Sequence, residues 1–238
     1  MPSPRIEDKT EGNMHALVRI PELATEGTFE SRIELEYVTS NRSFKLEQGL
    51  SSVNLAQSTD SYCKNDKFWE TKDPLVRRTS ESIHGSSRDV GEFLSRAFVW
   101  VRDNVRLREP QPKRLGAAYA IRELKGDCDE LSDLFIALCR AASIPSRRVV
   151  GLFYHGHMTE PRPFEWHAWA EVQVSGDAWI PFDPALNFFA AISDRHLPRC
   201  CMGRRSDYPL RRLTWRSQPE KSPTLNDDDV ESITVLPG

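Results

Sequence analysis

The sequence predicts an α+β fold, in which helices and β-strands occupy separate stretches of the chain. From about Asp89 to Ser143 the apolar residues recur at three- and four-residue steps, which is typical of amphipathic helices. From Arg147 to Asp183 segments rich in strand-forming residues follow, with short turns between them. Strands joined by tight turns pair antiparallel, so we expect a buried helix packed on an antiparallel sheet.

The composition is that of a folded chain with one substantial domain and a small appendage. The chain has 238 residues, of which 39% are hydrophobic and 9% aromatic, enough for a real core. Lys and Arg number 32 against 35 Asp and Glu, which gives a net charge of -3. The chain therefore has no excess of positive charge with which to bind nucleic acid or an anionic membrane. No apolar run approaches the ~20 residues that cross a bilayer, and the start lacks the apolar core of a secretory signal. We therefore expect a cytoplasmic protein with neither of these partners.

The first part of the chain is predicted as a separate segment. Residues 1–72 contain short β-rich runs, such as Arg32 to Val38, divided by turn-forming residues. Residues 56–74 are interpreted as a polar connector, since Pro74 disfavours helix in the residue before it. The main domain then covers 73–217. Residues 218–238 are polar and aromatic-free, which is typical of a flexible acidic tail.

Three helices are predicted in the main domain. An apolar stripe from Val90 to Val105 indicates the first, and Ala117 to Leu124 form a short second one. Asp127 is a favourable N-cap residue, so Cys128 is expected to begin a buried third helix that runs to Ala142.

The position of Cys128 at a helix start has a chemical consequence. Helix starts carry partial positive charge and unpaired N–H groups, which favour a thiolate and stabilise an oxyanion beside it. The five cysteines include no paired C-x-x-C spacing, so no metal, cofactor or disulfide framework is predicted. Cys139 is expected to be an inert packed thiol. Cys200 and Cys201 are expected in a basic loop.

Three strand-like segments follow the helix, at Arg147–Tyr154, Trp166–Val174 and Ala178–Asp183. Residues 175–177 suggest a tight turn between the last two. If that hairpin pairs about its centre, His167 lies opposite Asp183, and these residues share one face with Trp169. The other face is apolar, so a helix or the N-terminal segment must cover it.

These residues can supply the parts of a cysteine acyl-transfer site. A thiol attacks an acyl carbon only as thiolate, so it needs a base, and the base works best when a third group orients it. Cys128 would be the nucleophile, His167 the base and Asp183 the orienting group. The N–H of Cys128 would be the first oxyanion donor, with Tyr119 a candidate second. Taken singly, each member also has a purely structural interpretation.

Three runs of the sequence resemble parts of a known family. Gly126 to Arg147 closely resembles the nucleophile helix of the transglutaminase-like superfamily, in the form of a microbial transglutaminase-like domain. Trp166 to Val172 resembles that family's histidine strand, and Trp179 to Pro184 its aspartate strand. The resemblance covers about residues 73–190. Ser143 stands where the family usually has Gly, and Ala185 where it often has Thr.

The resemblance implies a papain-like α+β core and acyl-enzyme chemistry on amide, peptide or thioester carbonyls. It leaves three functions open: hydrolysis by water, transfer to an amine, and a non-catalytic interaction module. The intact Cys, His and Asp argue against the third. No calcium-loop pattern of spaced Asp and Asn is present, which disfavours a calcium-activated crosslinker. Expected partners are a peptide, protein or small acyl substrate, with a possible amine acceptor.

Two further features bear on substrate choice. Trp166, Trp169, Phe153 and Tyr154 could form an apolar wall that admits an amine and limits water, although core packing is an equal alternative. The arginine-rich stretch from Arg204 to Arg216 is interpreted first as a solvated face. Its alternative role is to bind an acidic carrier protein or a substrate carboxylate or phosphate.

Overall fold

The structure, a computed structural model, describes residues 5–8, 13–17, 38–46, 60–156, 164–175 and 178–206. In these ranges the helices are α1 (Pro74–Gly85), α2 (Val90–Asn104), α3 (Ala117–Glu123) and α4 (Cys128–Ala141). The strands are β1 (Arg5–Asp8), β2 (Met14–Leu17), β3 (Arg42–Ser43), β4 (Arg106–Leu107), β5 (Lys125–Gly126), β6 (Ser146–Tyr154), β7 (Phe164–Ser175), β8 (Ala178–Phe182), β9 (Ala191–Ile192) and β10 (His196–Met202). The predicted α+β class is confirmed.

The largest sheet has the strand order β10-β6-β7-β8, and every neighbouring pair in it is antiparallel. Helix α4 covers its apolar face, where the ring of Phe135 lies 5.2 Å from that of Phe182 between centroids. Ala170 and Val172 of β7 are completely buried in the same core. The covering element required by the alternation of β7 and β8 is therefore a helix.

Helix α4 begins where the sequence predicts, because the side chains of Asp127 and Glu130 cap its first turn. Asp127 accepts a hydrogen bond from the amide of Asp129 at 2.9 Å, and the amide of Asp127 donates to Glu130 at 3.2 Å. At the other end Ser143 adopts a left-handed conformation with φ 58°, which satisfies the last carbonyls of the helix. Glycine is the residue that fits this conformation best.

Helix α1 was not predicted. The sequence analysis interprets Pro74 only as a boundary, but proline disfavours helix in the residue before it and suits the first helical turn. The carboxylate of Asp73 caps that turn by accepting the amide of Leu75 at 2.9 Å. The preceding Trp69 is completely buried and donates from Nε1 to Asp133 at 2.9 Å. The connector interpretation is thus wrong for Trp69, while the domain limits stay a prediction.

Strand β10 also departs from expectation. Cys200 and Cys201 lie in this strand rather than in a loop, paired with Val150 and Val149 of β6. The side-chain amide of Asn13 joins the strand's outer edge, donating to the carbonyl of Cys201 and accepting from its amide, both at 2.7 Å. An edge strand needs such partners for its unpaired backbone groups.

Three small pairs of strands complete the described architecture. β1 and β2 form an antiparallel pair, as do β3 and β9, whereas β4 and β5 are parallel. The predicted strand at 32–37, the turn residues 176–177, most of the arginine-rich stretch and the tail 218–238 lie outside the described residues. In the described part of the chain no helix has the length and apolar character to cross a membrane.

Candidate active site

His167 and Asp183 meet on adjacent strands, though not in the expected register. Phe182 pairs with Ala170, so the hairpin is displaced by two residues, and Asp183 forms a separate bridge with Phe188. A two-residue displacement keeps every side chain on its face of the sheet. His167 and Asp183 therefore still face each other, with Nε2 and Oδ2 2.7 Å apart.

The carboxylate of Asp183 is buried and saturated with donors. Oδ1 accepts the amides of Ala185 and Leu186 at 3.0 and 3.1 Å. Oδ2 faces the Nε2 atoms of His167 and His196 at 2.7 and 3.2 Å. Burial by itself raises the pKa of Asp183, but the hydrogen bonds from the two imidazoles outweigh it and lower the pKa to about 2. The side chain is therefore a carboxylate at neutral pH.

This hydrogen bond determines the tautomer of His167. A carboxylate only accepts hydrogen bonds, so Nε2 of His167 carries the hydrogen and donates it to Asp183. In the neutral ring Nδ1 is then the basic nitrogen. The ring is held between Phe153 and Trp169, with centroid distances of 5.7 and 6.2 Å.

Cys128 is the first residue of α4 and lies against β7. Its sulfur is hydrogen-bonded by the backbone amide of Ala168, the residue that follows His167. The hydroxyl of Ser132, one turn further along α4, donates to the carbonyl of Ala168 at 3.0 Å. These two contacts hold the start of α4 against the histidine strand.

The electrostatics of Cys128 differ from the sequence-based expectation of a thiol shifted towards thiolate. Burial raises the pKa of the thiol, and the neighbouring carboxylates of Asp129 and Asp127 raise it further. Arg148, which is buried and ion-paired with Asp129, lowers it by a smaller amount. The helix start does not offset burial beside two carboxylates, so formation of the thiolate requires a base.

The capping carboxylates also hold the preceding segment against the start of α4. Asp127 accepts the amide of Gln111 at 2.8 Å, and Glu130 accepts the amide of Leu115 at 2.7 Å. Burial is the main reason that the pKa of Glu130 is raised to about 7. Residues 111–115 therefore border the site. The proposed second oxyanion donor Tyr119 is half-buried in α3, and its role stays a prediction.

The predicted aromatic wall is only partly exposed. Trp169 is 1% exposed and Phe153 is buried, so both pack behind His167 rather than line a cleft. Trp166 is 39% exposed and Tyr154 is half-buried. By the alternation of the strand, Trp166 lies on the same face of the sheet as Ala168. The guanidinium of Arg199 lies 5.5 Å from the centre of the Trp166 ring.

His196 was missed by the sequence analysis. It lies thirteen residues after Asp183, beyond a largely irregular segment, so no strand alternation links it to the site. The donor atoms of His167, Asp183 and His196 lie within 4.8 Å of one another and are of types that bind divalent cations. The same holds for Asp127, Cys128 and Asp129. We assign no metal, because hydrogen bonds account for the first group.

Comparison with known proteins adds a family and distant relatives. Residues 77–184 match the sequence model of the Transglutaminase-like superfamily. The chain is 23% identical over 165 residues to "Uncharacterized protein YebA" of Bacillus subtilis (strain 168), an alignment that covers 61% of this chain and 22% of YebA. The chain therefore spans about a fifth of that relative's length.

Two solved structures share a similar arrangement at low identity. One is described as a "Putative Cysteine Protease" from Cytophaga hutchinsonii, with 18% identity and a TM-score of 0.48 over 69% of this chain and 66% of that one. The other is the periplasmic domain of TgpA from Pseudomonas aeruginosa, with 18% identity and a TM-score of 0.39 over 47% of this chain and 42% of that one.

Proposed function

We propose that this chain, a member of the transglutaminase-like superfamily through residues 77–184, is a cysteine-dependent acyl-transfer enzyme. The proposal rests on one observation above all. His167 is bonded to the ionised Asp183 through Nε2 at 2.7 Å, which leaves Nδ1 as its basic nitrogen, while the residue after His167 contacts the sulfur of Cys128. Thiol acyl transfer needs a base with a fixed tautomer within reach of the thiol, and His167 is the histidine whose chain neighbour contacts Cys128.

In the first step Nδ1 of His167 takes the proton of the Cys128 thiol as the sulfur attacks the substrate carbonyl carbon. A C–S bond forms, and the carbonyl oxygen becomes an oxyanion. When the tetrahedral intermediate collapses, the bond from carbon to the leaving group breaks, and His167 gives its proton to that group. The product is an acyl-Cys128 thioester and a free amine or thiol.

In the second step an acceptor releases the acyl group. His167 takes a proton from the acceptor as it attacks the thioester carbon. The C–S bond then breaks, and His167 returns the proton to the leaving sulfur, which restores the thiol. Asp183 does not accept a proton in either step, because its low pKa keeps it ionised. Its charge instead stabilises the imidazolium that forms when His167 is protonated.

The helix start supplies the oxyanion donor in this proposal. The capping box uses the amides of Asp129 and Asp127 and leaves that of Cys128 outside it. The first N–H groups of a helix have no partner within the helix, and they favour negative charge. The Cys128 amide can therefore serve the oxyanion that develops beside it.

Among acceptors, we favour water over an amine. Exclusion of water requires an apolar enclosure, but Trp169 and Phe153 are committed to the core. The exposed ring of Trp166 has a cation over it, and the adjacent Glu165 is exposed. We therefore propose hydrolysis of a peptide, protein or small amide as the first function, with transfer to an amine as the second.

The test determines whether an acyl group is transferred to Cys128 and which product it then forms. The protein is incubated with peptide amides, small amides and thioesters, with and without a primary amine, and Cys128 adducts are followed by mass spectrometry. We expect an adduct on Cys128 that decays to free acid, and none in Cys128→Ala. The matched control Cys63→Ala should behave as wild type. Decay to an amide would favour the transferase, whereas absence of any adduct across the panel would support a non-catalytic module.

A further inference from the structure

His196 provides a second imidazole on the carboxylate of Asp183. It lies at the start of β10, on the far side of β6 from β7, and its side chain is completely buried. Its Nε2 is 3.2 Å from Oδ2 of Asp183, the oxygen that also binds His167. The two imidazoles therefore share one carboxylate oxygen.

The other nitrogen of His196 determines which tautomer is present. Nδ1 accepts the backbone amide of Ser193 at 3.3 Å and lies 2.8 Å from the Ser193 hydroxyl. A nitrogen that accepts an N–H hydrogen bond carries no hydrogen of its own. The ring of His196 is therefore neutral, with its hydrogen on Nε2, and it donates that hydrogen to Asp183.

The ring is also fixed in direction by its neighbours. The rings of Phe153, Trp169 and Phe188 meet it nearly edge-on, with centroid distances of 4.9, 5.2 and 5.2 Å. Phe153 and Trp169 are the same rings that hold His167. One aromatic cage thus sets the orientation of both imidazoles relative to Asp183.

A purely structural role explains these observations less well. An apolar side chain would fill an aromatic cage without the desolvation of two ring nitrogens, each of which needs a partner. Here both nitrogens have partners, and one of those partners is the group that orients the proposed base. The polar character of His196 is therefore directed at Asp183.

We propose that His196 is a positioning residue that holds the Asp183 carboxylate, and through it the Nε2–H tautomer of His167, in the geometry that leaves Nδ1 to act on Cys128. This inference rests on the proposed function. His196 touches neither the thiol nor the substrate in this scheme. It contributes a neutral donor that prevents the carboxylate from turning away from His167, so that two imidazoles, two backbone amides and one carboxylate form a closed set of hydrogen bonds.

The test compares two substitutions at one position. His196→Leu removes the donor, whereas His196→Gln keeps an N–H that can reach Asp183. The rate of Cys128 alkylation by limiting iodoacetamide is measured by peptide mapping, which requires no knowledge of the substrate. We expect about a tenfold loss in His196→Leu, the effect of one hydrogen bond to a charged group, and substantial recovery in His196→Gln. His84→Gln, at an exposed position of α1, is the control for a histidine substitution and should match wild type.

Nitrogen NMR of the wild type provides a second measurement that does not depend on a folded variant. We expect His196 to show a hydrogen on Nε2 and none on Nδ1 at neutral pH, and His167 to show the same tautomer. A hydrogen on Nδ1 of His196, or equal alkylation rates in the Leu and Gln variants and wild type, would overturn the proposal. If Cys128 is unreactive in the wild type itself, the proposed function fails instead, so the two failures are distinguishable.

Discussion

His167 and Asp183 are joined by a 2.7 Å hydrogen bond between Nε2 and Oδ2, although they are not opposite each other in the sheet. The bond spans a diagonal of the β7–β8 hairpin, where side chains two residues apart on one face remain within reach. Because Asp183 is ionised, this diagonal contact assigns the hydrogen of His167 to Nε2 and the basic lone pair to Nδ1.

Asp183→Asn is expected to lower activity by about a thousandfold or more, because an amide can present a donor to Nε2 and reverse the tautomer of His167. The comparison is made by Cys128 alkylation rate and by turnover on the substrate found in the adduct screen. Circular dichroism checks that the variant is folded. Wild-type rates in a folded Asp183→Asn would remove Asp183 from the catalytic site.

The pKa of Asp183 also predicts an acid dependence of stability. A carboxyl whose pKa falls from an ordinary 3.8 to about 2 on folding stabilises the native state fully above pH ~4. That contribution, on the order of 2 kcal/mol, is lost as the pH falls through about 2. Urea unfolding at several pH values should show the difference between wild type and Asp183→Asn shrinking from pH 4 to 2. A constant difference over this range would contradict the lowered pKa.

Asp129→Asn should make Cys128 more reactive at neutral pH. Asp129 is the neighbouring charge that raises the pKa of the thiol most, so its removal increases the thiolate fraction. The pH dependence of Cys128 alkylation should move to lower pH. Asp103→Asn, which removes an exposed carboxylate paired with Arg102, is the matched control and should leave the profile unchanged. A shift to higher pH in Asp129→Asn would contradict the assignment of Asp129 as the main neighbouring charge.

Ser143→Gly is expected to stabilise the fold by about 0.5 kcal/mol. Ser143 has φ 58° at the end of α4, where a Cβ costs about 1 kcal/mol and glycine recovers part of it after its larger entropy loss. The free energy of unfolding in urea measures the change. Ser143→Ala keeps the Cβ and should bring no gain. Equal or lower stability of the glycine variant would contradict this explanation.

The sequence predicted the parts of the site that depend on local pattern. The cap at Asp127, the helix from Cys128 and the shared face of His167 and Asp183 all follow from periods of 3.6 and 2, and these placements agree with the structure. The exact register did not follow: placing His167 opposite Asp183 requires a hairpin centred at position 175, whereas the observed pairs, such as Ala170 with Phe182, are centred at position 176. A two-residue displacement leaves each side chain on the same face of the sheet but changes its cross-strand partner.

Other features depend on tertiary packing, which no local pattern encodes. His196 lies next to Asp183 although β10 and β8 are at opposite edges of the sheet. Only the tertiary fold brings these two residues together. The raised pKa of Cys128 reflects burial, which overrides the helix-start effect that the sequence suggested. Likewise, the sequence is compatible with Trp169 and Phe153 either lining the substrate cleft or packing in the core. Their burial in the structure shows that they pack in the core.

The most direct test of the central proposal is the order in which thiols react with limiting iodoacetamide, mapped in the wild type and in His167→Ala. Cys139 and Cys200 are buried, so the competition lies among Cys128, Cys63 and Cys201. We predict that Cys128 reacts first in the wild type and that activity falls in step with its labelling. In His167→Ala, Cys128 should no longer react first. Its thiol has a raised pKa, and the variant lacks the base that would remove the proton. First labelling of Cys63 or Cys201, with activity surviving alkylation of Cys128, would contradict the account.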